Sequence, residues 1–395
     1  MGVEKNVLKK INLQFMELSR PLLSWFDTNK RVLPFREDNK PYNVWVSEVM
    51  LQQTKVETVI PYFNAWIQKY PNINAVANAS ESSILKSWEG LGYYSRCRNF
   101  HKAAKIVVKE YNSIIPDTWN EFRSLPGVGD YTAGAVLSIA FNKNYVAIDG
   151  NVKRVMARLT GRKKLSKYNQ NYIKSSLNKH IDKKRPGDFN QALMELGACV
   201  CLPQKPKCVE CPISKICSAY KNGSPTDYPI KEVKKKIPQY IFAGGIIRKE
   251  NKILIQKRDS RMLKGLWEIP MVRVSSDLDL TRVFKDYMFQ EYGITIKFRN
   301  ILSQVDHTYS HFKMKLIIID CSILSNIKNT NKLYSWISIL DIDDFAFHKA
   351  NHEVFAKLKK VIRDVSNNYF FIPLVNLVFI LINNFTSFFN FYSYS

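Results

Sequence analysis

Acidic residues are scarce in this sequence relative to basic ones. The 395 residues include 34 Asp and Glu against 59 Lys and Arg, so the formal net charge is +25. An excess of this size favours a polyanionic partner, of which nucleic acid is the most common. A lysine-rich proteome would produce the same balance, so charge by itself leaves both explanations open.

The sequence also lacks the usual marks of export and membrane insertion. Residues 1–10 have no apolar signal core, and the seven cysteines are an odd number with four close together, unlike a disulfide framework. The apolar run at 369–382 is shorter than the roughly 18–20 residues of a spanning helix, and Pro373 interrupts it. We therefore expect a reducing, cytoplasmic setting, nucleoid-associated in a bacterium, with no membrane contact.

Apolar residues are not scarce, at 46% of the chain, and their spacing changes once. From about residue 13 to 221 they recur at intervals of three and four, which is typical of helices. After the lysine-rich segment 225–238 the period becomes two, with a turn at 249–251 and a strong strand at 313–321. The fold class that this predicts is mainly α followed by α+β.

These changes divide the chain into four parts. We predict a helical domain at 1–224, an exposed linker at 225–238, an α+β domain at 239–363, and a poorly ordered, low-complexity apolar tail at 364–395. The sequence contains no internal repeat.

Four cysteines form a compact motif in the helical part. Cys201, Cys208, Cys211 and Cys217 are separated by six, two and five residues, so their thiols can converge on one metal centre. Zinc ribbons usually have two separated C-x-x-C pairs, whereas a single C-x-x-C with longer arms can wrap a bulkier iron–sulfur cluster. The spacing favours iron–sulfur but leaves zinc open.

A glycine-containing turn and an aspartate form a second pattern. Gly127 and Gly129 lie in a Leu-Pro-Gly-Val-Gly turn before a helix predicted to start near Asp130. Glycines let the backbone turn tightly and bring N–H groups near an anion at a helix N-terminus. Further along the chain, Asp149 follows an apolar run and opens a predicted helix at 152–159. Aspartate is a good N-cap, and capping is compatible with catalysis.

Together, the turn, Asp149 and the cysteine loop resemble the helix–hairpin–helix superfamily of DNA glycosylases over about residues 21–217. The resemblance implies a six-helix barrel with an iron–sulfur subdomain, in which a [4Fe–4S] cluster is held by Cys201, Cys208, Cys211 and Cys217. It also implies that Gly127 and Gly129 approach backbone phosphates while a nucleotide is flipped out of the DNA stack.

One position separates the branches of this superfamily. Bifunctional members of the endonuclease III type carry a lysine two residues after the last hairpin glycine, and its amine forms a Schiff base. Here that position is Tyr131, whose phenol cannot form an imine. The segment 44–54 matches the corresponding helix of MutY-type adenine DNA glycosylases almost letter for letter. The sequence is therefore identified as a member of this monofunctional branch.

The resemblance implies two catalytic carboxyl groups. Glu48 lies among apolar residues, and burial without a partner raises a carboxyl pKa, which suits a general acid. Adenine leaves as a protonated base from an oxocarbenium-like sugar, so an acid and an anion are both needed, as in glycosidases. By resemblance, Glu48 protonates adenine N7 and Asp149 stabilises the cation. Tyr131 and Asn151 support the sugar and Asp149.

Other site residues also follow from the resemblance. Arg36 and Gln191 correspond to the adenine pocket, since a glutamine amide can pair with an adenine edge. Four residues correspond to groups that contact 8-oxoguanine or enter the base stack beside it: Leu51, Gln53, Thr54 and Tyr93. Phe35 replaces the usual tryptophan of the family, so the indole N–H is lost.

The C-terminal part resembles a Nudix fold at 265–270 and 290–294. A working Nudix box needs carboxylates that hold Mg²⁺, but two of three are missing from the corresponding segment 286–291. This predicts a recognition module and not a pyrophosphatase. By resemblance, the stretch that reads 8-oxoguanine is Tyr309, Ser310 and His311, with Tyr309 in place of phenylalanine.

The predicted activity is hydrolysis of the N-glycosidic bond of adenine opposite 8-oxoguanine or guanine, by a monomer acting on double-stranded DNA. One alternative is a mismatch thymine or pyrimidine-lesion glycosylase of the same superfamily, against which Tyr131 and the second domain argue. Another is a non-catalytic lesion-binding protein, against which the presence of both Glu48 and Asp149 argues.

Overall fold

The computed structural model describes residues 14–230, 236–260, 262–275, 280–327 and 330–367. The chain forms two compact units, the first made of Met1–Ser87 and Ser95–Lys234 and the second of Trp88–Tyr94 and Lys235–Ser395. The tail predicted at 364–395 lies outside the described residues from 368 onwards. Within the described part of the chain, no helix is both long and apolar enough to cross a bilayer.

The first unit is helical, which confirms the prediction for this part of the chain. Its helices are α1 (Ser19–Asn29), α2 (Pro41–Leu51), α3 (Val56–Lys69), α4 (Ile73–Asn78), α5 (Glu81–Ser87), α6 (Ser95–Glu110), α7 (Trp119–Ser124), α8 (Asp130–Phe141), α9 (Gly150–Thr160), α10 (Lys167–His180), α11 (Pro186–Cys199) and α12 (Ser218–Lys221). Short 3₁₀ turns lie at Pro34–Arg36, Cys208–Glu210, Ser214–Ile216 and Pro225–Asp227.

Two helices, α2 and α8, are buried on almost every face. In α2 each side chain from Val44 to Met50 is buried, and in α8 the same is true from Thr132 to Ser138. A helix that is apolar all round belongs in the interior of a domain. The two helices pack on each other, so a polar group on either of them is held away from bulk water.

A second core lies among α1, α9, α10 and α11. Gly197 of α11 permits a close approach at the start of α9, because a Cβ at this position would lie 2.6 Å from the Cβ of Asn151. Any larger residue would push the two helices apart. This contact fixes the first turn of α9 against α11.

The second unit contains a seven-stranded sheet. Its strands are β1 (Gln239–Lys249), β2 (Lys252–Lys257), β3 (Trp267–Glu268), β4 (Met271–Val274), β5 (Ile296–Thr308), β6 (Lys313–Ile323) and β7 (Tyr334–Ser338). The order is β3-β2-β1-β6-β5, with β4 paired to β1 and β7 paired to β2. Strands β1 and β6 run parallel, and the other pairs are antiparallel.

Two helices cover opposite faces of this sheet. Helix α13 (Leu280–Tyr292) packs on one apolar face through Phe284 and Met288. Helix α14 (Lys349–Asn367) packs on the other through Val354 and Phe355. The α+β prediction is therefore confirmed, and the predicted turn joins β1 to β2.

Candidate active site

A cavity of about 140 Å³ in the first unit collects the residues predicted to carry the chemistry. It is bordered by α2, α8, α9, α11 and the 3₁₀ turn at Pro34–Arg36. The predicted site residues that line it are Arg36, Glu48, Leu51, Thr54, Tyr131, Asp149, Asn151 and Gln191. Phe35 lines it as well. Residues far apart in the sequence thus face one small space.

Glu48 is a buried carboxyl group on α2, with 6% of its surface exposed. Burial raises the pKa of Glu48 to about 7, and the charge of Asp149 acts in the same direction. A hydrogen bond from Tyr131 and the charge of Arg36 oppose this rise. An ordinary glutamate titrates near pH 4.3, so Glu48 retains its proton at a pH where other carboxyl groups have lost theirs.

Tyr131 connects α8 to Glu48. Its phenol donates a hydrogen bond to Glu48 Oε2 at 2.6 Å and lies 3.3 Å from Met194 Sδ. Burial, with the negative charges of Glu48 and Asp149, raises the pKa of the Tyr131 phenol well above its usual value. The phenol is therefore a neutral donor at neutral pH. The resemblance pairs Tyr131 with the sugar and Asp149, whereas its hydroxyl in the structure bonds to Glu48.

Asp149 is the N-cap of α9, as the sequence predicts. Its Oδ1 accepts a hydrogen bond from the backbone N–H of Val152 at 2.7 Å, and its Oδ2 accepts one from Asn151 Nδ2 at 3.0 Å. Burial raises the pKa of Asp149, while both hydrogen bonds oppose the rise. The helix N-terminus also favours the anionic form. The cavity therefore holds two carboxyl groups in different surroundings.

Asn151 ties Asp149 to the cysteine loop. Arg154 donates through Nη2 to Asn151 Oδ1 at 2.9 Å and to the Gly197 carbonyl at 2.7 Å. The same guanidinium donates through Nε to the Cys201 carbonyl at 2.8 Å. This chain of hydrogen bonds fixes the orientation of the Asp149 carboxyl group relative to α11 and the loop.

A buried ion-pair network at the edge of the cavity was missed by the sequence analysis. Glu195 of α11, with 1% of its side chain exposed, accepts hydrogen bonds from Arg31 Nε at 2.7 Å and from Arg36 Nη2 at 2.9 Å. Burial raises the pKa of Glu195, but the two guanidinium groups outweigh it and hold the value at about 2. Glu195 thereby orients Arg36 at the cavity.

The only local signal for this network is an acid inside an apolar stretch of α11, next to Met194 and Leu196. The partners lie more than 150 residues away in sequence. Glutamate in a helix is usually exposed. A single sequence cannot distinguish a paired, buried glutamate from an ordinary surface one.

The predicted hairpin joins α7 to α8. Gly127 has φ +80°, and a Cβ there would lie 2.7 Å from the Cβ of Asn99. Both backbone conformation and space therefore require glycine at this position. Gly129 is the N-cap residue of α8, and Arg123 Nη1 donates to the Val128 carbonyl at 2.8 Å.

The C-terminal end of α2 is held by Arg96. Its Nη1 donates to the carbonyls of Val49 and Met50 at 2.8 Å each, and its Nη2 lies 3.2 Å from Thr54 Oγ1. Gln53, in the turn that follows, is exposed and has φ +59°, a left-handed conformation that is unusual for glutamine. Strained backbone of this kind is concentrated at functional sites.

The cysteine loop packs against the helical core. Cys201, Cys211 and Cys217 contact this core, and Cys208 is partly buried. Arg158 Nη1 donates to Cys201 Sγ at 3.3 Å, and Cys217 Sγ lies 3.4 Å from the Arg158 carbonyl. Among the residues that the structure describes, no three Cys, His, Asp or Glu side chains are arranged to hold a single metal ion.

The remaining predicted residues lie in the second unit. Tyr309 packs against the core beside α14, and its hydroxyl lies 3.3 Å from His348 Nδ1. Ser310 and His311 are exposed at the tip of the β5–β6 turn, which is closed by a bond from Tyr309 N to the Phe312 carbonyl at 2.9 Å. Tyr93 is 47% exposed and has φ +47°.

Comparisons with known proteins find matches to both units of the chain. The helix–hairpin–helix superfamily model for base excision DNA repair proteins matches residues 46–179, and a NUDIX domain model matches residues 242–357. A solved structure described as a thermostable thymine-DNA glycosylase is similar with a TM-score of 0.50 and 28% identity. The match covers 53% of this chain and 98% of the chain in that structure.

The fold and the matched models define an enzyme class, the DNA glycosylases of base excision repair. An adenine DNA glycosylase from Buchnera aphidicola (subsp. Acyrthosiphon pisum) is 33% identical over 352 residues, covering 87% of this chain and 97% of the relative. The human adenine DNA glycosylase is 35% identical over 352 residues, covering 74% of this chain and 64% of the relative. This chain belongs to the adenine DNA glycosylase family.

The Glu195 network generates a stability prediction. Glu195→Gln leaves Arg31 and Arg36 without their carboxylate, so we expect a loss of about 2–4 kcal/mol in the free energy of unfolding at neutral pH. Glu57→Gln is a matched control, because Glu57 is 75% exposed and lies 3.8 Å from Arg31. The control should lose no more than about 0.5 kcal/mol. Denaturant unfolding measures both variants.

The pH dependence of this loss follows from the lowered pKa. The pKa of Glu195 is about 2 in the folded chain, against about 4.3 for an ordinary glutamate when unfolded. Its stabilisation is therefore complete above about 4.3 and disappears as the pH falls towards 2. The gap in unfolding free energy between wild type and Glu195→Gln should narrow over this range. A gap that stays constant with pH would contradict the network.

Proposed function

We propose that this chain removes adenine paired with 8-oxoguanine or guanine from double-stranded DNA as a monofunctional, monomeric glycosylase. The observation that carries the proposal is the pair of carboxyl groups in one cavity, with the pKa of Glu48 raised to about 7. One group can hold a proton while the other is an anion. This is the division of labour that glycosidic bond cleavage requires.

In the proposed reaction, protonated Glu48 donates its proton to N7 of adenine. The bond between C1′ and N9 then breaks, and its electron pair leaves on the adenine. The Asp149 carboxylate stabilises the positive charge that develops on the sugar. Water adds to C1′ and releases a proton, so that the products are free adenine and an abasic site.

The surrounding residues have supporting roles in this proposal. Asn151 holds Asp149 by the hydrogen bond at 3.0 Å, and Tyr131 donates to Glu48 and keeps its pKa from rising further. Arg36 and Gln191 face the cavity and would contact the adenine edge. Because Tyr131 offers no amine, a Schiff base with the sugar is excluded at this position, which favours a monofunctional enzyme.

The resemblance assigns contacts with the opposite base to Leu51, Gln53, Thr54, Tyr93 and the stretch Tyr309, Ser310 and His311. Leu51 and Thr54 line the cavity. Gln53 is exposed on a left-handed turn, and Tyr93 is exposed. The exposed Ser310 and His311, which follow the partly buried Tyr309, offer hydrogen-bond donors to the lesion. The exposed positions of these four side chains support contact with the opposite base, and its identity as 8-oxoguanine is supplied by the family resemblance.

A [4Fe–4S] cluster is proposed for the cysteine loop. Four thiols within one short loop suit this cluster, whose four irons each take a separate thiolate, so the ligands need not surround a single ion. Cys201, Cys208, Cys211 and Cys217 would hold it, and the Arg158 guanidinium at Cys201 Sγ offsets part of the negative charge. When bound, the cluster would cross-link the loop. Cys199 is left out of the ligand set, because it does not fit the spacing of the other four cysteines, and its thiol lies 3.8 Å from Glu195 Oε1.

The activity is tested by single-turnover incision of a duplex with one adenine opposite 8-oxoguanine. We expect strand cleavage only after alkali, a slower reaction opposite guanine, and none opposite thymine. Cleavage without alkali would indicate lyase activity and contradict the monofunctional assignment. Release of thymine or of a damaged pyrimidine in place of adenine would favour the alternative within this superfamily.

The raised pKa of Glu48 predicts a pH-dependent rate. Since the acid must be protonated, excision should slow as the pH rises through about 7. Tyr131→Phe removes a hydrogen bond that lowers this pKa, so the alkaline limb of the pH–rate profile, where the rate falls, should move to higher pH.

Glu48→Gln should lose about 10²–10⁴-fold in rate and keep its affinity for DNA. An unshifted limb in Tyr131→Phe, or full activity in Glu48→Gln, would refute the assignment.

Iron binding is tested without reference to activity. Purified protein should contain four irons and four sulfides per chain and show visible absorption typical of an iron–sulfur cluster. Cys211→Ser should lose most of the iron. Cys199→Ser, a neighbouring thiol outside the proposed ligand set, should retain it. Zinc in place of iron, or equal loss in both variants, would contradict the cluster.

A further inference from the structure

A second, larger cleft lies along α9 in the first unit. Its volume is about 770 Å³, and it is bordered by α9, the loop that leads to α10, and residues 226–230. Five cationic side chains line it: Lys153, Arg154, Arg158, Lys163 and Lys164. No carboxylate side chain belongs to the described lining.

The two arginines are fixed mainly by backbone carbonyl groups. Arg158, with 3% of its surface exposed, donates to the carbonyls of Tyr228 at 3.1 Å, Leu202 at 2.7 Å and Pro203 at 3.0 Å. Arg154 is held by Asn151 Oδ1 and by two backbone carbonyls. Carbonyl groups satisfy the N–H donors but do not cancel the charge. Arg158 also donates to Cys201 Sγ at 3.3 Å, so a cluster thiolate at Cys201 would offset part of its charge, and the cleft wall would keep the remainder.

The three lysines complete the cleft at its rim. Lys153, Lys163 and Lys164 are exposed, and Lys163 Nζ lies 5.9 Å from the ring centroid of Tyr228. In the described part of the chain, none of the five cations forms an ion pair with Asp or Glu. Scattered surface lysines are expected in so basic a chain, but a concave site with two hydrogen-bonded guanidinium groups, one buried and one half-buried, is not.

We propose that this cleft binds the phosphodiester backbone of the DNA strand that carries the target nucleotide. The proposal rests on the proposed function. Helix α9 begins at Gly150, which lines the cleft, and its N-cap is Asp149. A strand whose sugar reaches Asp149 therefore passes the mouth of the cleft. From Gly150 to Arg158 the helix rises about 12 Å, which matches about three phosphates of a B-form strand at 3.4 Å each.

The test compares two double variants with the same change in charge. Lys163→Ala/Lys164→Ala removes cations at the cleft rim. Lys183→Ala/Lys184→Ala is the control, because these exposed lysines follow the far end of α10. That 14-residue helix separates them from the cleft by about 20 Å. Affinity for a duplex with adenine opposite 8-oxoguanine is measured over a series of salt concentrations.

If each rim lysine neutralises one phosphate, the cleft variant should have a slope of log affinity against log salt that is shallower by about 1.8. If the two proteins bind equally at about 1 M salt, this difference in slope corresponds to roughly 30-fold weaker binding by the cleft variant at about 0.15 M salt. The control should retain at least most of the wild-type slope. Ethylation of phosphates within about three nucleotides of the target adenine should hinder wild type more than the cleft variant.

The outcomes separate this proposal from the function on which it rests. If wild type excises adenine but the cleft and control variants show equal slopes, the cleft does not bind the backbone. Ethylation interference confined to the opposite strand would also overturn the proposal. It would also be overturned if the cleft bound inorganic phosphate but the cleft variant kept the wild-type affinity for DNA. If the cleft variant has the predicted shallower salt slope relative to wild type, but wild type excises no adenine, the proposed function fails and the cleft assignment stands.

Discussion

The burial of one carboxyl group is the constraint on which the rest of the site depends. Glu48 is removed from water because α2 is packed on nearly every face, and desolvation is the largest cause of its raised pKa. Ionising a buried carboxyl group is costly, so a substantial fraction of Glu48 keeps its proton at neutral pH. Every neighbour acts on this balance: Tyr131 and Arg36 favour the anion, whereas Asp149 opposes it.

Asp149 has a different environment because it begins a helix. The first N–H groups of α9 and the Asn151 amide stabilise its charge. Arg154 then ties Asn151 to the Cys201 carbonyl and to Gly197. The cysteine loop is therefore connected to the catalytic cavity by hydrogen bonds. A cluster that cross-linked this loop would help to keep Asp149 in place, and the cluster itself would take no part in the chemistry.

Local patterns predicted much of this arrangement. The N-cap at Asp149, the turn before α8 and the change of period after 238 depend on nearby residues, and each was found in the structure. The bond between Tyr131 and Glu48 spans 83 residues, and the Glu195 network spans more than 150. Such pairings depend on how helices pack, which periodicity does not specify.

The most direct test of this account is the pKa of Glu48 itself. Carbon NMR of protein with labelled glutamate side chains would follow its carboxyl signal, identified by its absence from Glu48→Gln. The account predicts a midpoint at about 7. A midpoint near the ordinary glutamate value of about 4.3 would mean that Glu48 is ionised at neutral pH, and the proposed general acid would have no proton to donate.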